Sequence, residues 1–478
     1  MSYIPEQVLN QSAFGDTVTT TLKPYVSLKA VYGLLDECLT LSATGGGVAA
    51  TNSEFVMTTG TSVGGYGVLY SRQPVVYIPG VGSEARITAR FTTGVANSLQ
   101  LAGYFTAIDG MFFGYNGASF GVMHRHHGAI EIQSLAITTG AGGAETVTVT
   151  LNSVPYAIAV TAGTTTQVAD QLTTGLTASA AGALWYFQHI GTTVVCTAKN
   201  AAAAAGTYTL ASTGTTAGTF TRIRAGAAAT ETWTAKASWN VDTASWLDPT
   251  KGNLFKLEYA YLGYGQLKFS IFNPSLRRFV VVHVIDWANA NTQTNFANPS
   301  LRVGWVAASL GSTTALTVAG GSAMAGLQGD AAKPHSFGAF GIATGVTTET
   351  QVVSILSRRE FGTRANLGLI VPKLLSIGTD STKGAIFKMY RNAVVAGVTT
   401  HNYVDQTQSI ALSDTGGTTV SGGRLLGVYS VGPAGRATID LSDINEVLIS
   451  GDELTITAQV TSAAASEMTV SITWDEIV

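Results

Sequence analysis

The chain is poor in charge, in cysteine and in long apolar runs, and each shortage excludes a class of protein. Lys and Arg number 26 and Asp and Glu 29, so 12% of the 478 residues are charged, about half the usual fraction of roughly 25%. With a net charge of −3 and no basic run, nothing is present to neutralise a phosphate backbone, which excludes nucleic acid as the expected partner. Two cysteines, Cys38 and Cys196, lie far apart. They form no disulfide framework and read as inert buried thiols of a reducing compartment. Mean hydropathy is positive, yet no window holds the 18 or more consecutive apolar residues of a spanning helix, so no membrane insertion is expected. The first residues, Met1-Ser2-Tyr3-Ile4-Pro5-Glu6, lack a basic segment followed by an apolar one, and no secretion signal is read there.

What fills the chain instead is alternation. Arg86 to Phe91, Thr146 to Leu151, Leu267 to Phe272 and Leu454 to Val460 place β-branched or aromatic residues at every second position, between Gly, Asn, Asp or Pro. Period-2 patterning over many short segments predicts an all-β protein built from sandwiches or jelly rolls. Texture divides the chain. Residues 1–132 and 233–360 are rich in aromatics and read as one discontinuous jelly-roll or lectin-like β-sandwich. Residues 133–232, an Ala/Thr/Gly-rich stretch, read as an inserted α+β module, and 361–478 as a C-terminal β-sandwich. Inside the insert the pattern predicts a hairpin turning at Asn152-Ser153. A short helix follows over 164–176, with Val168 and Leu172 on one face behind Thr caps, and then returning strands at Trp185-Tyr186-Phe187 and 192–198. The run Gly311 to Gly326 reads as loop, or as a contact with a neighbouring subunit.

The stretch FFGYNGASFGVMHRHHG, 112–128, gathers most of the chemically suggestive residues. Asn116-Gly117 predicts a type I′ hairpin turn. On the following strand Ala118, Phe120, Val122, His124 and His126 share one face, and Ser119, Gly121, Met123, Arg125 and His127 the other. Gly117-Ala118-Ser119-Phe120-Gly121 matches G-x-S-x-G, but a nucleophile elbow needs a strand-to-helix turn, and Ser119 sits on a hairpin strand. His124 and His126 are the candidates for a metal, chiefly where copies meet on a symmetry axis, but a site needs three or four ligands and none beyond these two can be named. His283, His335 and His401 stand alone in the sequence. Gly80-Val81-Gly82-Ser83-Glu84-Ala85 approximates a dinucleotide fingerprint but leads into a strand rather than a helix. Asp36-Glu37 and Asp475-Glu476 are adjacent, so on strands each pair faces opposite ways and offers no glycosidase dyad. Trp185 and Tyr186 are the candidates for ligand contact, as a stacking platform for sugar. No catalytic set and no cofactor site emerge, and the chain reads as no enzyme.

Ser71-Arg72-Gln73-Pro74-Val75-Val76-Tyr77-Ile78-Pro79-Gly80, Ala85 to Phe91, Asp109 to Gly117, Phe120 to Arg125, Tyr261 to Phe269, Phe279 to His283, Ala288 to Asn291 and Asn298-Pro299 together resemble a virion structural protein of tailed bacteriophages or large DNA viruses. The closing segment Thr455 to Trp474 is similar to the final strands of such proteins. The insert resembles small β-rich domains repeated in phage tail components. The resemblance implies a multi-copy fibre, spike or capsid-decoration protein with no catalytic residues, assembled in the host cytoplasm into the virion. Its implied partners are copies of itself, expected as a homotrimer, and other virion proteins, with host-surface glycan as a further partner if it serves attachment.

Overall fold

The computed structural model describes residues 22–329, 334–461 and 464–478; the start of the chain, on which the leader reading rests, lies outside them. The fold is all-β and antiparallel, with a single α-helix among the described residues. The chain forms two compact units, Met1–Gly128 with Ala228–Ala332, and Ala129–Ala227 with Lys333–Val478.

The first unit is a sandwich of a nine-stranded and a seven-stranded sheet. Alternation explains it: Ile87, Phe255 and Phe269 turn inward from one sheet, and Tyr104, Phe113 and Trp305 from the other, all fully or almost fully buried. Their rings meet across the gap, Phe113 to Phe255 at 4.7 Å and to Phe269 at 5.6 Å, and Phe55 to Trp305 at 5.5 Å. Such tilted and edge-to-face contacts add to the burial of each ring. Phe112, one residue out of phase, joins Leu101, Phe105 and Met123 in a satellite cluster on the other side of the sheet.

The run expected as loop proves to be two strands, Thr317–Gly320 and Ser322–Leu327, with Val318, Ala319, Ala323 and Ala325 buried. Small residues are required there. A Cβ at Gly320 would sit 2.6 Å from the Trp305 indole nitrogen and 2.2 Å from the Thr88 carbonyl oxygen.

In the second unit the insert follows its pattern closely. Strands Glu145–Leu151 and Val154–Val160 pair through Asn152 and Ser153, whose φ values of 49° and 67° satisfy the turn. The helix Thr165–Ala178 starts at a capping box: Thr164 Oγ1 accepts from Gln167 N, and Gln167 Oε1 accepts from Thr164 N. It buries Val168, Ala169, Leu172 and Leu176 against the strands. Cys196 is buried in this core and Cys38, in the first unit, is half-buried; both are free thiols, and burial raises the pKa of each.

The C-terminal sandwich packs a four-stranded sheet on a six-stranded one. On its last strand, Ser466–Ile477, Met468, Val470, Ile472 and Trp474 are all buried. The sandwich begins upstream of the texture change at Phe361. His335–Val346 pairs along the last strand, and Thr350–Ser357 pairs with Glu453–Val460.

Glu453 holds a buried carboxyl oxygen with no partner. Burial pushes its pKa up to about 7, assisted by the Asp414 charge and opposed by hydrogen bonds from Ser354 and Thr455. The folded chain therefore keeps a proton that the unfolded chain has lost, and stability falls as pH rises from about 4.5 to 7. Glu453→Gln should gain about 3 kcal/mol on the wild type at pH 8 compared with pH 4.5, read from denaturant midpoints at the two pH values. An unchanged difference would refute the assignment.

Candidate functional site

The hairpin 110–126 sets the site in the first unit. Gly110–Asn116 and Ser119–His126 are joined by Gly117 and Ala118, with Asn116 opposite Ser119. Only Gly117 has positive φ, at 59°, which is the requirement of a type II′ rather than the expected type I′ turn. The turn is shifted by one residue, which takes Ala118 into it, and His127 lies past the strand end with a φ of 58°, but from Ser119 to His126 the two faces are as read. Phe120 and Val122 point into the core with His124, while Met123 joins the satellite cluster. Ser119 lies on the exposed opposite face, accepting from the Trp233 indole at 3.4 Å. No helix follows it, and none follows Gly80 to Ala85, where the strand Ser83–Phe91 begins at once.

His124 and His126 stack at 4.6 Å with 26° between ring planes. The Trp287 indole stands nearly perpendicular to both, at 5.2 and 5.4 Å. His124 Nε2 donates to the Asn295 carbonyl at 2.9 Å, and His126 Nδ1 meets His127 Nδ1 at 3.2 Å. His283 is not isolated. Its strand, Arg278–Ile285, brings it to the same hollow, a pocket of about 500 Å³ lined by His124, His126, His283, Thr232, Thr234 and Trp287. His283 Nδ1 accepts from Asn240 N at 3.4 Å, which leaves Nε2 to carry the proton.

Asp109, not a site candidate in the sequence, braces the end of the hairpin outside the pocket lining. Its carboxylate accepts from the backbone N–H of His127, Ala297 and Asn298 at 3.1, 2.9 and 2.7 Å, tying the hairpin end to the loop that follows Trp287. Burial raises its pKa against those three hydrogen bonds.

The three imidazoles are uncharged near neutrality. Burial lowers His124 to about 3, with His126 and His127 adding repulsion and the Asn295 bond opposing. Burial also lowers His126 and His283. Among the described residues no group of three His, Cys, Asp or Glu is placed to hold a metal ion; stacked rings do not converge on one point, and His124 and His126 make no pair of ligands by themselves.

The other candidates lie in the second unit. Trp185 is 6% exposed, inside the core of the insert with its ring 6.2 Å from Tyr208, so it presents no platform. Tyr186 is capped by Arg359 and Lys199 at 4.2 and 4.7 Å from its ring. His401 also has company: its Nδ1 lies 3.2 Å from His189 Nε2, which donates to the Thr399 carbonyl at 3.0 Å. His401 Nε2 is then buried without a partner, and burial beside His189 lowers its pKa to about 4. This knot joins insert and C-terminal sandwich in one unit and opens onto no pocket among those described. Asp475 and Glu476 face opposite ways as expected. The first bonds Ser336 and the second is fully buried, accepting from Ser409, Ile410 N and the Trp474 indole.

Among the described residues no helix is long and apolar enough to cross a membrane. No family model and no curated protein matches the chain. Solved structures give faint likenesses. The metal-free carbohydrate recognition domain of Emp46p is 10% identical, over 62% of this chain and 89% of that one, with a TM-score of 0.24. The Gx strain of infectious bursal disease virus is 8% identical over 84% and 74%, TM-score 0.19. The VP2 subviral particle of the same virus is 9% identical over 84% and 78%, TM-score 0.16. Scores this low leave the function to be argued from the chain itself.

Proposed function

We propose that the chain is a structural virion protein, present in many copies in a fibre, spike or capsid decoration, assembled in the host cytoplasm and without enzymatic activity. The observation that carries this reading is the edge strand His335–Val346. It is the longest strand of its sheet together with its neighbour, and among the described residues it pairs on one side only. It contains no Lys, Arg, Asp, Glu or Pro, and Phe340 and Ile342 are 58% and 48% exposed on it. Soluble proteins blunt such edges with charge, proline or bulges, because unpaired N–H and C=O groups template pairing with another chain; here one register shift, between Ala343 and Val346, lies near the end of the strand and leaves His335 to Ala343 regular. The other edge of that sheet, Arg436–Asp440, is short and charged at both ends. Further support comes from exposed Val394, Leu425 and Val428 in the same sandwich, from the low charge, and from the sequence segments that resemble virion proteins.

Closed symmetric association of copies is the economical way to cover such surface, and a homotrimer is the expected state. Native mass spectrometry of the purified chain should give a closed oligomer, and Phe340→Lys with Ile342→Lys should shift it to monomer with its circular dichroism unchanged. A wild-type chain that stays monomeric at micromolar concentration would overturn the proposal.

A further inference from the structure

We propose that the pocket beside the hairpin end binds an uncharged polyhydroxylated ligand, a neutral sugar residue of a surface glycan. This deepens the attachment role that a virion component of the kind proposed above would serve, and it rests on that reading for its biological setting, though not for its chemistry.

Four observations select this ligand class. The hollow, about 500 Å³, falls in the range of roughly 300–1,000 Å³ typical of small-molecule sites. No Lys, Arg, Asp or Glu lines it, and its imidazoles are held neutral, so neither an anionic nor a cationic ligand would find a counter-charge. Its polar groups are nonetheless unspent. The Thr232 and Thr234 hydroxyls have no hydrogen-bond partner among the described residues, and His283 Nε2 and His126 Nε2 are likewise left over once their Nδ1 atoms are engaged. An apolar occupant would desolvate these groups without replacing their hydrogen bonds, at a cost of about 1–3 kcal/mol for each group left buried and unmade. Hydroxyls of a sugar both donate and accept, which suits a mixture of threonine hydroxyls and imidazole N–H and N atoms.

The remaining observation is the indole. Trp287 is fixed, with Nε1 donating to the Gln293 carbonyl at 2.6 Å and Asn291 Nδ2 donating to the Trp287 carbonyl at 3.3 Å. An aromatic ring held in the lining of a hollow offers an apolar surface to the C–H face of a pyranose while its polar neighbours take the hydroxyls. The threonines are fixed as well. Thr232 pairs with His124 and Thr234 with Val122 across the strands Thr230–Ala235 and Ser119–His126, so period-2 geometry points both hydroxyls to the side that carries the imidazoles.

The test is saturation-transfer NMR on the full chain with a panel of glucose, galactose, mannose and N-acetylglucosamine, run beside sialic acid, and a separate calorimetric titration with Zn²⁺. At least one neutral sugar should bind saturably at millimolar concentration. Trp287→Ala, and separately Thr232→Val with Thr234→Val, should each weaken it about tenfold or more, with circular dichroism and oligomeric state unchanged. Binding of no neutral sugar, preference for sialic acid or Zn²⁺, or sugar binding indifferent to both sets of variants would overturn the inference. Because assembly is read separately by native mass spectrometry, loss of sugar binding with oligomers intact condemns the pocket alone, and monomers that bind sugar condemn the assembly reading alone.

Discussion

Phe120→Ala should lower the unfolding free energy of the chain by about 3–5 kcal/mol, the range for deleting a buried phenylalanine, whereas His126→Ala should cost about 1 kcal/mol or less. The two residues lie on the same strand and the same face, so the contrast isolates packing. Phe120 is 8% exposed, with its ring 5.1 Å from Tyr115, 5.8 Å from Phe91 and 6.3 Å from Trp239. Truncation leaves a void bounded by three aromatic rings that are themselves pinned by other contacts and cannot collapse into it. His126 is half-buried at the strand end and gives up a stacking contact and one imidazole pairing. Guanidinium unfolding followed by tryptophan fluorescence reads both, and particle or oligomer yield should follow the same order. Equal midpoints for the two variants would show that the hairpin is held by its histidines and not by its aromatic face.

The second large effect is on acid stability. His124 titrates at about 3 in the fold against about 6.5 in an unfolded chain. The unfolded chain therefore takes up a proton over a pH window in which the folded chain refuses it. The sign follows: the stabilisation is complete above pH 6.5 and is lost progressively as pH falls towards 3. The full span is on the order of 5 kcal/mol, most of it set by burial and the rest by the neighbouring His126 and His127. His124→Asn should flatten the dependence of the denaturation midpoint on pH between 4 and 6.5, measured beside the wild type. If the variant keeps the wild-type slope, His124 is not the group that titrates. His401, lowered to about 4, adds a slope of the same sign in the second unit, and Glu453 opposes both.

The sequence makes some of this legible and hides the rest for physical reasons. Alternation is a local property, so the strands around Ile87, Val147, Phe269 and Val470 can be read from their neighbours, and so can the capped helix behind Thr164. The faces of the hairpin strand survive a one-residue error in the turn because side-chain parity does not depend on which turn closes the hairpin. Thr317–Gly320 is illegible as a strand because its small residues are chosen to admit Trp305, a constraint imposed by a distant side chain. The boundary of the C-terminal sandwich is similarly hidden: composition changes at Phe361, while pairing begins with His335. Histidines show the limit most clearly. His124 and His126 are adjacent in the pattern and are found, but His283, Trp287, Thr232 and Thr234 reach the pocket through strand pairing and loop closure, and His189 meets His401 only through tertiary packing. The pair Thr232 and Thr234 at period 2, and the Trp287 to Asn291 loop rich in Asn, were the available signals. Trp185 shows the converse, since an aromatic triplet in a small module is spent on that module's own core.

The most direct test of the central claim is cryo-EM of purified virus particles carrying this chain with a tag in the insert near residues 200–206. Density for the tag in a regular, repeated array on the particle, at many copies and around a symmetry axis, is the expected result. Particles that lack the chain, with the tag recovered only in soluble monomer, would contradict it.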